Sequence, residues 1–489
     1  MRTRAALEPA RLRPARKSEP ANVISRTIPP PTRRRFRSGS AACGRGWLAL
    51  ALLGLAAPSP AQWKSDLQTC AGASLSPEER REACTRALQS DQLSTVDRAV
   101  TYNNIGVAWK AQGDLDRAIA AYDRAIATDP RLGNAYNNRG AAFGAKGDLG
   151  SALRDFDQAI ALDPQLAQAH RNRALLLQSR GDLEGAIKDL DEAIRLEPRT
   201  AQIYVERAGA WEASGDLGKA TADLNESIRL EPERAELFVA RGVLWDRQHD
   251  TTHSIADYDE AIRLNPLLAA AYNDRCNTWL IKEAYNRAAE DCNEALKLDP
   301  DLAQAHFNRG VLWVVGSDFG KAKDEFDQAI RLQPQFAPAY KSRAALNFDD
   351  GRFDAAQADL AQAARLLRSD PYVRIWLYLA QARGGHADAA ARELDQSVAD
   401  AANGAWPGPV VQLYLGRSDP GSVFKAAQQG DARAQADQQC EAAFYVGEWH
   451  LLRGENGQAL RLFEDAQRTC RKSFSESGGA RAELDRMAR

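Results

Sequence analysis

An all-α fold of stacked helix–turn–helix repeats, a right-handed α-solenoid, is predicted for this 489-residue chain by three observations. First, a 34-residue pattern recurs without gap or insertion from Ala99 to Asp370. Counting Ala99 as place 1, place 4 is aromatic or His in all eight units (Tyr102, Tyr136, His170, Tyr204, Phe238, Tyr272, His306, Tyr340). Second, small residues recur at place 8 (Gly106, Gly140, Ala174, Ala208, Gly242, Cys276, Gly310, Ala344) and at place 20, from Ala118 to Ala356. Third, Pro closes seven of the eight units at place 32, from Pro130 to Pro334. One hairpin of this length cannot bury its own apolar face, so the units must stack and share a core.

Period, order and punctuation resemble the tetratricopeptide repeat (TPR), which implies a helix–turn–helix in every unit and a binding surface rather than a catalytic cleft. Gly-Asp at the turn (Gly113-Asp114, Gly147-Asp148, Gly181-Asp182, Gly215-Asp216) is expected to end one helix in a left-handed residue and to cap the next. Ahead of the repeats, residues 62–98 read as a helical cap, with Ser76 as N-cap before Pro77-Glu78-Glu79. The Trp at place 11 (Trp109, Trp211, Trp245, Trp279, Trp313) falls at helical spacing from places 4 and 8, which predicts core rather than a ligand box.

Residues 1–61 are of another class. They hold twelve Lys/Arg against Glu8 and Glu19, then an apolar run Trp47–Ala57 followed by Pro58-Ser59-Pro60-Ala61. That run is too short to span a bilayer and fits a secretory signal cleaved after Ala61, giving an exported, periplasmic protein. Thr32-Arg33-Arg34-Arg35-Phe36 is similar to a twin-arginine signal. Without this segment the formal charge falls from −2 to −12, which disfavours nucleic acid as a partner. No later apolar stretch is long enough to be a transmembrane segment.

Six cysteines follow Ala61, and in an oxidising compartment they suggest three disulfides. Cys276 and Cys292 hold places 8 and 24 of one hairpin, while Cys440 and Cys470 hold places 1 and 31 of a later, degenerate one. Antiparallel helices joined by one turn bring both pairs level, leaving Cys70 for Cys84. Buried free thiols are the alternative.

Seven units carry Arg at place 7 (Arg139, Arg173, Arg207, Arg241, Arg275, Arg309, Arg343) and the same seven carry an acid at place 23 (Asp155, Asp189, Asp223, Asp257, Asp291, Glu325, Asp359). The first unit has neither; it has Ile105 and Ala121. That concordance predicts an ion pair inside each hairpin, because an unpaired buried charge costs several kcal/mol.

From 371 to 489 the repeat degenerates. Ala390 and Leu394 stay in phase, Trp406-Pro407-Gly408-Pro409 interrupts, and a last hairpin starts near Cys440 with a terminal helix after it. Asp370-Pro371 ahead of Trp376-Leu377-Tyr378-Leu379-Ala380, Trp406 ahead of Tyr414-Leu415-Gly416, and Phe444-Tyr445-Val446-Gly447 ahead of Leu452 and Gly454 resemble the NlpI family of bacterial envelope lipoproteins, and Ala459, Leu462-Phe463, Ala466 and Phe474 continue the match. The resemblance implies a dimeric, non-catalytic adaptor that brings a periplasmic protease to murein hydrolases. The chain departs from that family in two respects: no lipobox Cys follows the apolar run, so lipid anchoring is unsupported, and several more repeats are present.

Motifs of chemistry are missing. The sequence has no GxSxG, HExxH, P-loop or Rossmann glycine pattern, so neither an enzyme nor a cofactor is expected. His249 and His253 flank an inter-helix turn and need not share a face, so no metal site is expected. The first helix of each unit is more informative. Place 6 reads Asn104, Asn138, Asn172, Glu206, Ala240, Asp274, Asn308, Ser342, and Asn103, Asn137 and Asn273 stand at place 5. The run is similar to the asparagine ladder in the TPR superhelix of O-linked N-acetylglucosamine transferase. Asn both donates and accepts, so it can hold a peptide backbone whatever its side chains; the alternative is a solvated helix face. The Lys/Arg–Asn clamp of chaperone-binding TPRs is not expected, since only Arg171 and Lys341 are basic at place 5. The expected function is that of a non-catalytic periplasmic scaffold or adaptor binding extended segments of envelope proteins, with a homodimer possible by resemblance. A holdase-like chaperone is the alternative.

Overall fold

The computed structural model describes residues 62–72, 75–397, 405–470 and 475–489; the export segment, its cleavage point and Phe474 lie outside them. The described residues form 25 helices and no strand. They divide into two compact units at Ala240/Arg241.

In the unit that ends at Ala240, α1 (Gln62–Ala71) and α2 (Pro77–Ala87) form the cap. Ser76 and Glu79 close a reciprocal capping box at the start of α2, which satisfies two of the otherwise orphaned N–H groups. A disulfide joins Cys70 to Cys84, and Ile105 packs on this buried pair. The repeat hairpins follow: α3 (Thr95–Ala111) with α4 (Leu115–Thr128), α5 (Gly133–Ala145) with α6 (Leu149–Leu162), α7 (Ala167–Ser179) with α8 (Leu183–Leu196), and α9 (Ala201–Ser214) with α10 (Leu217–Leu230). Gly113, Gly147, Gly181 and Gly215 are left-handed at φ 82–89°. The Asp after each accepts the backbone N–H of the third helical residue. The turns are therefore built as the sequence implies.

α11 (Ala235–Arg247) contains the division and pairs in sequence with α12 (Thr251–Leu264). In the unit from Arg241, the hairpins are α13 (Ala269–Ile281) with α14 (Tyr285–Leu298), α15 (Ala303–Val315) with α16 (Phe319–Leu332), and α17 (Ala337–Asp349) with α18 (Phe353–Leu366). Here His249, Glu283 and Ser317 stand where the earlier turns have Gly, and they accept left-handed φ of 58–62°. Beyond them come α19 (Pro371–Arg383), α20 (Ala387–Ser397), the short α21 (Gly408–Tyr414) and α22 (Pro420–Ala426), then α23 (Ala432–Leu452), α24 (Asn456–Thr469) and α25 (Ser475–Met487). One apolar core runs unbroken from Ala344 to Ala480 and includes Phe348, Trp376, Phe444 and Phe463. Residue 370 is thus a change of pattern, not a gap in packing.

Places 8 and 24 are matched in size. Gly106, Gly140, Gly242 and Gly310 lie under the rings of Tyr122, Phe156, Tyr258 and Phe326, where an added Cβ would come within 2.4–2.8 Å of a ring carbon. Where place 8 is Ala, place 24 is Leu (Leu190, Leu224, Leu360). In the sixth hairpin the couple is a disulfide, Cys276–Cys292. Gly447 and Phe463 repeat the arrangement between α23 and α24, and the Cys440–Cys470 disulfide also joins the middle of α23 to the C-terminal end of α24. The interface volume is held constant by trading bulk across it, as close packing demands.

Four of the place-11 tryptophans, Trp109, Trp211, Trp279 and Trp313, pack against the buried clusters as expected of core residues, though none is fully enclosed. Trp109, Trp211, Trp245, Trp279 and Trp313 are only half-buried. A cation at place 19 covers four of their rings: Arg117 at 4.5 Å, Lys219 at 4.1 Å, Arg287 at 4.8 Å and Lys321 at 4.3 Å, while His253 lies over Trp245 at 5.0 Å. Helical spacing alone did not reveal that the next helix brings a cation to the ring face.

Candidate functional site

Each place-7 Arg meets its place-23 acid inside its own hairpin. Arg139 donates Nε and Nη2 to Asp155 at 2.8 Å each, and the same contact recurs in the other six units, with Glu325 serving Arg309. The six aspartates are buried and Glu325 half-buried, and the guanidiniums are about one-fifth to three-tenths exposed. Burial opposes ionisation of these arginines, and the bound carboxylates outweigh it, raising Arg139, Arg173 and Arg207 above their ordinary range. A second carboxylate, missed in the sequence, comes from place 25 of the preceding hairpin. Asp123, Asp157, Asp191, Asp259 and Asp327 accept from Nη1 of Arg139, Arg173, Arg207, Arg275 and Arg343. One guanidinium therefore ties two hairpins together, which makes the row a structural element.

The place-4 aromatic or His has a similar linking role. Tyr204 and Tyr340 donate to the carbonyls of Pro198 and Pro334. Nε2 of His170 and of His306 lies 3.2 and 3.0 Å from the carbonyls of Pro164 and Pro300.

The asparagines of places 5 and 6 are brought together between hairpins. In the compact unit that ends at Ala240, Asn138 Nδ2 donates to Asn103 Oδ1 and Asn172 Nδ2 to Asn137 Oδ1, both at 2.9 Å. Arg171 and Glu206 continue the row as a two-point ion pair at 2.9 and 2.5 Å. In the unit from Arg241, Asn308 Nδ2 donates to Asn273 Oδ1 at 3.0 Å. Asn104 begins the row with Nδ2 3.7 Å from Cys70 Sγ. Asn103, Asn137, Asn273 and Asn308 are buried, whereas Asn104, Asn138 and Asn172 are half-buried. The row is not a fully solvated face. Each amide carries two donors and an oxygen with two lone pairs; a rung uses one donor of the place-6 residue and one lone pair of the place-5 residue. The half-buried Asn138 keeps an oxygen that the rung does not occupy, whereas Asn172 Oδ1 accepts from Gln168 Nε2 at 3.0 Å and keeps one lone pair. Of the two basic residues at place 5, Arg171 is taken by Glu206 and Lys341 by Asp370.

Asp274 stands at place 6 where four other units have Asn, and its Oδ1 accepts from Asn273 Nδ2 at 3.0 Å. Burial, reinforced by the nearby Asp246 carboxylate, pushes it up to about 7. Asp246 itself accepts from Tyr258 Oη at 2.8 Å and Thr278 Oγ1 at 2.9 Å, and burial raises it too. A carboxyl with a folded pKa above its unfolded one of ~3.9 favours the fold while protonated, and that contribution is lost as pH rises from about 4 through 7. Asp274→Asn is therefore expected to raise stability at pH 8, by up to about 4 kcal/mol, and to leave it unchanged at pH 4. Urea titrations at the two pH values check this; an equal effect at both would show that Asp274 is not held protonated.

His253 Nδ1 lies 2.6 Å from Asp250, and no cluster of three or more potential metal ligands occurs among the described residues. No helix among them is long and apolar enough to cross a membrane.

Residues 106–147 match the family described as TPR repeat, and residues 137–201, 171–235 and 282–335 match that described as tetratricopeptide repeat. Among solved structures, the chain is similar to YrrB, described as a TPR protein with an unusual peptide-binding site, at 21% identity over 39% of this chain and 96% of that one, TM-score 0.34. It is similar to PilF of Pseudomonas aeruginosa at 20% identity over 43% and 96%, TM-score 0.38. A tetratricopeptide repeat protein from Parabacteroides merdae aligns at 17% identity over 53% and 98%, TM-score 0.38. No curated protein matches the chain by sequence. Repeats of this kind bind peptides or proteins and are in general non-catalytic. Carrying them in the strict 34-residue register described above, the chain is a tetratricopeptide-repeat protein, an all-α solenoid that serves as a protein–protein interaction scaffold.

Proposed function

We propose that this scaffold works in the periplasm, after export and cleavage near Ala61, and holds extended segments of cell-envelope proteins along the amide row of residues 103–172. Residues 371–489 recruit a second protein, in the manner of the NlpI-type adaptors that the C-terminal third resembles. One observation carries the binding role: Asn138 and Asn172 are fixed in successive hairpins by their rungs, Asn138 with an oxygen the rung leaves open and Asn172 with an oxygen that spends one lone pair on Gln168. A pre-fixed amide loses little freedom when a peptide N–H docks on it. The three disulfides favour an oxidising compartment.

Replacing Asn104, Asn138 and Asn172 together by Ala tests the reading. Each lost bond is worth roughly 0.5–1.5 kcal/mol, so affinity for an unstructured peptide should fall tenfold or more. Because Asn138 and Asn172 also donate to neighbouring hairpins, some loss of melting temperature is expected, and binding is to be measured where circular dichroism shows full helicity. Partners captured by residues 371–489 should be unaffected. Unchanged peptide binding by the folded variant would reduce the row to an inter-repeat link. Capture of many unfolded proteins in no fixed ratio would favour a holdase over an adaptor.

A further inference from the structure

In the unit from Arg241, a cavity of about 300 Å³ opens between the end of α17, the first residue of α16 and one face of α25. Its apolar wall is Phe319, Leu346 and Ala482, and its polar wall includes Asp349, Arg481 and Arg489. Phe319 is 37% exposed, one of the few large apolar side chains so open to solvent. The volume lies at the lower end of the range for small-ligand sites, roughly 300–1,000 Å³, and suits a group the size of one or two residues.

The charges in the wall differ in what they are free to do. Arg486 is committed: Nη1 donates to the carbonyls of Phe348 and Asp349 at 3.3 and 2.8 Å, and Nε donates to Glu483 at 3.1 Å. It therefore fixes α25 to the end of α17 and keeps the cavity preformed. Asp350 is paired with Arg352 at 2.5 Å. Arg481 and Asp485 are four residues apart on one face of α25, and Arg489 follows two residues beyond its end. No carboxylate among the described residues lies within ion-pair distance of Arg481 or Arg489, so both guanidiniums are available. The half-buried Asp349 carboxylate stands beside Gly478 in the cavity wall and accepts no hydrogen bond among the described residues. Burial pushes it up to about 7, although Arg486 and Arg481 pull the other way.

We propose that this cavity binds an α-amino-acid unit bearing a free carboxylate, with the carboxylate between Arg481 and Arg489, the neighbouring N–H on Asp349, and the side chain against Phe319 and Leu346. A planar guanidinium presents paired N–H donors matched to a carboxylate, and a carboxylate in the cavity wall with its acceptor sites open can take a ligand N–H. The ligand is either a free amino acid or the last residue of a polypeptide. The site is separate from the amide row and does not depend on how that row functions.

The test is calorimetric titration of the full chain with N-acetyl-Ala-Leu, with the same dipeptide as its C-terminal amide, and with free leucine. The acid is expected to bind at least tenfold more tightly than the amide. Arg481→Gln should abolish that preference, and Asp349→Asn should weaken the acid form severalfold. Tighter binding of the dipeptide than of leucine identifies a chain end as the ligand; equal binding identifies the free amino acid. Equal affinity for acid and amide overturns the proposal, as does retention of the preference by Arg481→Gln, or no binding of any probe at about 10 mM. Arg481 is exposed, so its replacement should leave the fold intact; Arg481→Lys, which keeps the charge without the fork, should restore binding only in part.

Discussion

Asp359→Ala is expected to destabilise the protein by about 3–5 kcal/mol, the range for stripping one partner from a buried ion pair. Asp359 is 5% exposed. It accepts from Arg343 Nε at 2.9 Å and Nη2 at 2.5 Å, and from Asn347 Nδ2 at 3.2 Å. Its loss orphans three donors at once, beside an Asn347 oxygen that is already buried without a partner. Asp327 would still hold Nη1, but it is about half exposed, and such a pair is worth at most about 1 kcal/mol. The first repeat points to a rescue, since Ile105 and Ala121 occupy the same two places without charge. Arg343→Ile combined with Asp359→Ala should recover most of the loss, because a buried pair is often no better than the apolar residues that replace it. Urea unfolding of the two variants decides the matter. A double variant no more stable than the single one would mean that the guanidinium is not stranded by removal of Asp359.

What the sequence disclosed and what it concealed follow from where each contact is made. The Gly-Asp turns, the Ser76 cap and the pairing of place 7 with place 23 lie within one hairpin, whose geometry a fixed 34-residue register already determines. Contacts between hairpins depend also on the stacking angle, which the period does not state. That is why the place-25 carboxylates and the link from place 5 to place 6 were not read from spacing, whereas the place-19 cation over the place-11 Trp lies within one hairpin and was open to the register. A signal for the first was present: Asp123, Asp157, Asp191, Asp259 and Asp327 each precede an Arg by 16 residues, the same interval that separates places 7 and 23. The size match of Gly106 with Tyr122 and Ala174 with Leu190 was also legible, because within a single chain the two places vary together. In the candidate site the sequence located the asparagines, but not that all except Asn104 are bonded to one another in pairs. The cavity beside α25 was out of reach, since it joins residues 319 and 489, which no repeat relates.

Arg383→Met should cost about 3–5 kcal/mol at pH 7, and the cost should shrink in acid. Arg383 reaches Glu448 Oε2 at 3.0 Å, and Glu483 Oε1 and Oε2 at 2.5 and 3.1 Å. Both carboxyls are essentially inaccessible, at 0% and 1% exposure. They titrate in opposite directions. Burial pushes Glu448 up to about 8, with the Glu483 charge adding to it. For Glu483 burial also raises, but hydrogen bonds from Arg486 and Arg383 prevail and hold it below the ordinary carboxylate range. Glu448 therefore favours the fold while protonated and loses that contribution as pH climbs through about 8. Glu483 favours it while ionised and loses that contribution as pH falls below about 4. Removing Arg383 at pH 7 leaves Glu483 ionised with Arg486 alone, in a site where an underpaired charge is costly. Below pH 4 the same carboxyl can take a proton, so less is lost. Adding Glu448→Gln to the Arg383→Met variant should recover part of the stability at pH 7 and 8, where the unfolded chain ionises Glu448 while the fold holds it protonated, and little at pH 4. Thermal melts at pH 8, 7 and 4 measure all three. A loss that is the same at every pH, or below about 1 kcal/mol at pH 7 as for an exposed pair, would mean that Arg383 does not carry the charge of this cluster, and that aromatic packing around Trp376 and Phe444 holds α25 in place without it.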